Sequence, residues 1–208
     1  MVCTLCKHPA YFFGNFQNRN YNRCTHCASV FLDAENLPST SAEQKRYEHH
    51  RNSETDSGYL QFLKPLIDAV STNQIQQEKG LDYGSGPNPV LTKMLQNQGY
   101  DVKPYDLFFS QNLEALKQNY DYIVCCEVIE HFHNPREEFD RLRKLLVPGG
   151  NLYCKTNLLT SEIDFKNWWY KNDLTHTFFY TKASLEFIKT HFKFKELKIY
   201  QEYFRFSA

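Results

Sequence analysis

Four cysteines fall in two pairs, Cys3-Thr-Leu-Cys6 and Cys24-Thr-His-Cys27. Thiolates spaced in two such knuckles can converge on one tetrahedral ion with bonds of about 2.3 Å, and zinc is the ion this donor set selects. With all four positions filled by sulfur, the expected metal is structural. His8 and His26 each stand beside a complete pair and read as flanking residues. A second chemistry lies further along. Gly84 and Gly86 belong to Leu81-Asp-Tyr-Gly-Ser-Gly86, a loop that lets a ligand approach the main chain and leads into a helix N-terminus. Asp106 ends the next strand-like run, where a carboxylate can accept hydrogen bonds from ribose hydroxyls. Three histidines titrate in the range needed for proton transfer: His131, His133 and His176, with Asp173 three residues before the last.

These groups need elements to hold them. Gly80–Tyr83, Asp101–Asp106, Tyr122–Cys126 and Asn151–Thr156 read as strands, with helical stretches between several of them, notably Pro135 to Leu146. Strands alternating with helices argue for a parallel sheet covered on both faces. Leu60, Leu63, Ile67 and Val70 recur at helical spacing and predict an amphipathic helix ahead of the first strand. After a helix near Ser184 to His191, two strands at Phe194–Tyr200 and Tyr203–Phe206 form an antiparallel edge. Residues 1–36 read as a metal-binding ribbon, 37–57 as a linker with a turn or two of helix, and 58–208 as the α/β domain. The linker carries His49 and His50 in Tyr47-Glu-His-His-Arg51, a pair that reads either as solvated or as part of a site.

The 208 residues, 41% of them hydrophobic, can form a domain of ordinary size plus a small appendage. Twenty-four basic and twenty-four acidic residues cancel, so no global field gathers phosphates or anionic lipid. No apolar run approaches membrane-spanning length, and Met1-Val2-Cys3 opens no signal peptide. With seven cysteines of which four are paired for a metal, the expected compartment is the reducing cytoplasm.

The loop lacks the third glycine of a dinucleotide fingerprint, since Pro87-Asn88-Pro89 follows Gly86, and no Gly-Lys-Ser/Thr follows for a nucleoside triphosphate. Three ordered motifs resemble instead the class I methyltransferases, particularly those similar to ubiquinone-pathway O-methyltransferases: Leu81–Gly86, Glu127-Val-Ile-Glu-His-Phe-His-Asn-Pro135 and Leu145-Leu-Val-Pro-Gly-Gly150. The resemblance spans residues 80 to 180. It implies a Rossmann-like, mostly parallel seven-stranded sheet and S-adenosylmethionine as cofactor. Asp82, Gly84, Ser85 and Gly86 would then hold its amino-acid part, Asp106 its ribose, and Glu127 would lie beside it. Between Asp106 and Tyr120 the chain departs from the pattern, with room for little more than one helix where such enzymes have a helix, a strand and an adenine-contacting acid.

The candidate bases are His131, which either reacts or braces the cofactor loop, and His176, which either reacts or sits satisfied in an aromatic cluster. Trp168, Trp169, Tyr170, Phe178, Phe179 and Tyr180 surround His176 and predict an apolar pocket for a small-molecule acceptor. RNA is the runner-up, because the ribbon has only Lys7, Arg19 and Arg23 to offer phosphates. A nicotinamide oxidoreductase, or a ribbon-bearing binding protein with an inactive domain, are the other readings.

Overall fold

The computed structural model describes residues 1–49 and 52–208. The ribbon comprises β1 (Ala10–Phe16), β2 (Arg19–Cys24) and β3 (Val30–Leu32). There follow α1 (Thr40–Glu48), α2 (Ser57–Asn73), β4 (Lys79–Tyr83), α3 (Val90–Asn97), β5 (Asp101–Tyr105), β6 (Tyr120–Cys126), α4 (Pro135–Leu145) and β7 (Leu146–Lys155). The chain ends with β8 (Phe178–Phe179), α5 (Lys182–His191), β9 (Glu196–Ile199) and β10 (Phe204–Ser207).

The main sheet has the order β5-β4-β6-β7-β10-β9, parallel from β5 to β7 and antiparallel across β7-β10-β9. It has six strands where seven were expected. The residues between Asp106 and Tyr120 form an Asp106–Ser110 bridge and a single 3-10 turn at Leu113–Lys117. A parallel crossover alone takes a dozen or more residues, so that stretch is too short to add a strand. β5 is therefore an edge.

Burial explains the layers. Leu63, Leu66, Ile67 and Val70 of α2 join Val90, Leu91 and Leu95 of α3 against Val102, Tyr122, Val124 and Tyr153 on one face. Asp56 caps α2, accepting from the amides of Gly58 and Tyr59 at 2.9 and 3.1 Å. On the other face Phe139 and Leu142 of α4 and Leu185 and Ile188 of α5 share one core with Cys3, Leu5, Cys6, Cys24 and Cys27 of the ribbon. The ribbon thus packs into the sheet's own core.

Hydrogen bonds fix that junction. β3 pairs with β8, Val30 opposite Phe179 and Phe31 opposite Phe178, giving a second sheet of order β1-β2-β3-β8. The Thr181 hydroxyl donates to the Cys27 carbonyl at 2.6 Å, and Arg136 donates to the Leu5 carbonyl at 3.0 Å. Arg19, at 8% exposure, donates to the carbonyls of Lys171 and Leu174 at 2.6 and 3.2 Å. Helix α1 is docked too: Ser39 caps it, and its Arg46 pairs with Asp173 at 2.7 Å. His49 ends α1, with its Nδ1 2.6 Å from the Lys45 carbonyl, whereas His50 and Arg51 lie outside the described residues.

Two hydrogen bonds from a buried guanidinium are worth roughly 1.5–3 kcal/mol each. Arg19→Ala should therefore lower the unfolding free energy by roughly 3–6 kcal/mol in urea titrations. A change within the ordinary surface range, under about 0.5 kcal/mol, would show that the ribbon and the 171–174 turn are not braced through this side chain.

Candidate functional site

The carboxyl ends of β4, β5 and β6 open on a cleft of about 1180 Å³. A site for one small ligand occupies roughly 300–1,000 Å³, so this space has room for a second molecule. One end is the turn after β4. Gly84 takes φ +85°, and a Cβ there would stand 2.5 Å from a Val128 methyl, so the turn accepts only glycine. The amides of Gly84 and Ser85 donate to the Tyr105 carbonyl at 2.8 and 3.0 Å, clamping the loop to β5. Gly86 donates its amide to Asp106 Oδ2 at 2.9 Å, while Asp106 Oδ1 accepts from Phe108 and Phe109 at 2.8 and 3.1 Å. Of the four or so lone-pair positions on that carboxylate, three are already in use. Asp82 is buried, accepts from the Thr92 hydroxyl at 2.7 Å, and has its pKa pushed up to about 6 by burial. The Ser85 hydroxyl is buried with no partner among the described residues.

The other end is built by the turn after β6 and by residues 169–176. Glu127 has φ +52°, a left-handed conformation that a non-glycine residue adopts at a cost, and its amide is held by the Lys155 carbonyl at 2.8 Å. Tyr170 places its hydroxyl 2.9 Å from Glu127 Oε2, 2.6 Å from Glu130 Oε1 and 2.8 Å from the Thr156 hydroxyl. Burial pushes both glutamate pKa values up, and for Glu127 the neighbouring Glu130 charge pushes it further. His176 donates from Nδ1 to the Tyr170 carbonyl at 2.7 Å and His131 donates from Nδ1 to the Thr175 carbonyl at 2.9 Å. The two rings meet edge to face at 4.8 Å. Burial holds His176 down at about 3 and lowers His131 as well, so both imidazoles are neutral. Helix α1 covers them, with the Tyr47 ring 5.3 Å from His131 and 5.7 Å from Phe108.

The structure thus brings Asp82, Gly84, Ser85, Gly86, Asp106, Glu127, His131 and His176 to one cleft. His133 lies beside them but is occupied, its Nε2 2.9 Å from Glu43. The Asp173 carboxylate accepts from Thr175 and pairs with Arg46, while its main-chain carbonyl accepts from the His176 amide at 3.2 Å; the imidazole takes its orientation from the Tyr170 carbonyl. Of the aromatic residues expected to wall the pocket, Trp169 and Tyr170 do so, whereas Phe178, Phe179 and Tyr180 are core side chains at 0–1% exposure. β8 pairs with β3 there, which turns those rings inward. Glu130 was not anticipated as a site residue, although it stands inside the Glu-Val-Ile-Glu-His motif; its full burial is set by tertiary packing alone.

At the ribbon, Cys3 and Cys27 hold their Sγ atoms 3.7 Å apart, and Cys6 and Cys24 hold theirs 3.3 Å apart, all four residues being buried. Sulfurs at about 2.3 Å from a tetrahedral ion lie roughly 3.8 Å from one another. The amides of His26 and Cys27 point at Cys24 Sγ from 3.4 Å, as suits a thiolate. His8 and His26 stack at 4.0 Å outside the cluster.

A family model described as "Methyltransferase domain" matches residues 47–195. The chain belongs to the methyltransferase-domain family. The matched residues make up most of the 208-residue chain. The ubiquinone biosynthesis O-methyltransferase of Erwinia tasmaniensis is 27% identical over 77 residues, 37% of this chain and 32% of that protein. The chain therefore spans about a third of the length of the curated relatives it matches. Among solved structures, the 1,6-didemethyltoxoflavin-N1-methyltransferase of Burkholderia thailandensis, with bound 1,6-didemethyltoxoflavin and S-adenosylhomocysteine, is similar with a TM-score of 0.59 at 15% identity. That similarity covers 96% of this chain and 97% of the other. An O-methyltransferase family protein from the same organism has a TM-score of 0.54 at 12% identity over 79% and 61% of the two chains.

The raised carboxyl pKa of Glu130 has a pH consequence. In the folded chain it keeps a proton through a range in which an unfolded glutamate, at about 4.3, has lost it. Folding takes up that proton, so this contribution to stability is full at low pH and is lost as pH rises from about 4.3 into the neutral range. His176, held low, acts in the opposite sense below its ordinary value and is common to both proteins compared. Unfolding free energy should fall less steeply between about pH 5 and about 7.5 for Glu130→Gln than for the wild type. Parallel curves would mean that Glu130 is ionised in the native state.

Proposed function

We propose that the chain transfers a methyl group from S-adenosylmethionine to a small-molecule acceptor held in the same cleft. The observation that carries this is the continuity of that cleft, from the glycine loop and Asp106 to the imidazoles of His131 and His176. In this reading Asp82, Gly84, Ser85 and Gly86 hold the amino-acid part of the cofactor, and the idle Ser85 hydroxyl has a bond to give. Asp106 spends its remaining lone pair on the ribose, and Glu127 stands beside the cofactor. Displacement at a sulfonium carbon releases a neutral thioether, so positioning supplies most of the catalysis. His131 and His176 face the acceptor with Nε2 lone pairs, because their Nδ1 protons are committed to carbonyls.

RNA is the weaker alternative. One of the few ribbon cations, Arg19, is buried on protein carbonyls, and another, Arg23, lies over the Phe13 ring. Cys3, Cys6, Cys24 and Cys27 hold a structural zinc ion in this reading, and reduced, metal-bound thiols suit the cytoplasm. No helix among the described residues is long and apolar enough to cross a membrane.

In calorimetry, S-adenosylhomocysteine should bind the wild type and bind Asp106→Asn at least about tenfold more weakly, since a charged acceptor is lost. Equal affinity for the two proteins would remove Asp106 from the ribose. Elemental analysis should find one zinc per chain, and Cys27→Ser should lose it and melt earlier. Purified protein free of zinc, with wild-type melting in the serine variant, would end the metal assignment.

A further inference from the structure

Helix α1 lies over the cleft without the apolar face that fixes the other helices. Of its nine residues Glu43 alone is buried and Tyr47 alone half-buried, and the rest are exposed. α2, by comparison, buries Leu63, Leu66, Ile67, Ala69 and Val70. An isolated helix as short as α1 is not stable in water, and one without an apolar stripe gains little from packing. Its position therefore rests on individual contacts.

Those contacts come from one face. Thr40, Glu43, Arg46 and Tyr47 fall at helical spacing and all line the cleft. Glu43 meets His133 Nε2 at 2.9 Å, on the turn after β6, and Arg46 pairs with Asp173 at 2.7 Å, on the turn of residues 169–176. Tyr47 stands where the two ends of the cleft join. Its ring is 5.7 Å from Phe108, two residues past Asp106, and 5.3 Å from His131, and its hydroxyl meets the Thr175 side chain. Each ion pair has a partner open to water, the Arg46 side chain being 45% exposed and that of His133 36%. Pairs of this kind hold weakly. Lifting α1 uncovers one ring and separates the polar contacts just named, and it tears no apolar core.

Taking the cleft as the ligand site proposed above, we infer that α1 is its cover. It swings off its two ion pairs to admit and release ligands, and it closes Tyr47 over the junction between the glycine-loop end and the histidine end. Closed, it keeps water from the imidazole of His131 and confines whatever the cleft holds. Open, it gives a path in and out, so release of a bound ligand waits on the helix.

Hydrogen exchange of the full chain, read by mass spectrometry, tests this first without ligand. Amides of residues 40–48 should exchange faster than those of α2 and α4. The double variant Glu43→Ala with Arg46→Ala cuts both ion pairs while placing the best helix former at each position, so faster exchange there reads lost docking. Exchange of residues 40–48 and of the 128–132 turn beneath them should rise together at least about twofold, with α2 unchanged. Protection of residues 40–48 equal to that of α2 would overturn the cover. So would a rise confined to residues 40–48, which would mean that the helix frays without uncovering the cleft. The wild type supplies an arm that no variant limits: saturating S-adenosylhomocysteine should slow exchange of both segments, and unchanged exchange of residues 40–48 in the bound protein would sink the cover. In surface plasmon resonance its dissociation should be at least about twofold faster from the double variant, and equal rates would count against the cover in the same way. Failure of the wild type to bind S-adenosylhomocysteine at all would instead sink the methyltransferase reading, and the ligand-free exchange would still decide on the cover.

Discussion

One phenolic hydrogen, on Tyr170, stands between two buried carboxylates and can serve only one at a time. The other lies in a place that disfavours charge, and burial raises the pKa of both carboxyls. Three segments depend on that arrangement. The end of β6 carries Glu127 in a left-handed conformation, the following turn carries Glu130, and residues 169–176 carry the tyrosine and one of the two imidazoles. None of them can move independently while the hydroxyl stays in place.

The ribbon supplies the outer support for the same point. Arg19 grips the turn just after Tyr170, and β3 pairs with β8 just after His176. The module therefore braces the end of the cleft lined by Tyr170 and His176 more than the end at the glycine loop. That division of labour gives a physical reason for the four thiols to lie within the sheet's own core.

Much of this was legible in the chain. Periodicity located β4, α3, β5, β6, α4 and α5 to within a few residues, because each has a strongly apolar face or run. The paired cysteines located their own cluster by spacing alone. What escaped was set by contacts distant in sequence. β8 is two residues long and exists only because β3 meets it, so Phe178–Tyr180 read as pocket wall and proved to be core. Arg19 read as a cation for phosphates because its partners are carbonyls, which leave no mark in a sequence. The seventh strand came with the family resemblance, although the short stretch after Asp106 already argued against it.

That short stretch leaves the parallel sheet with an unpaired border at β5. Free main-chain donors and acceptors along such a border invite the strand of another molecule. Here the border is five residues long, contains Pro104 with no N–H to offer, and sets the charged Lys103 beside it. A fold trimmed of one strand would otherwise be prone to polymerise edge to edge, and these two residues make that edge a poor template.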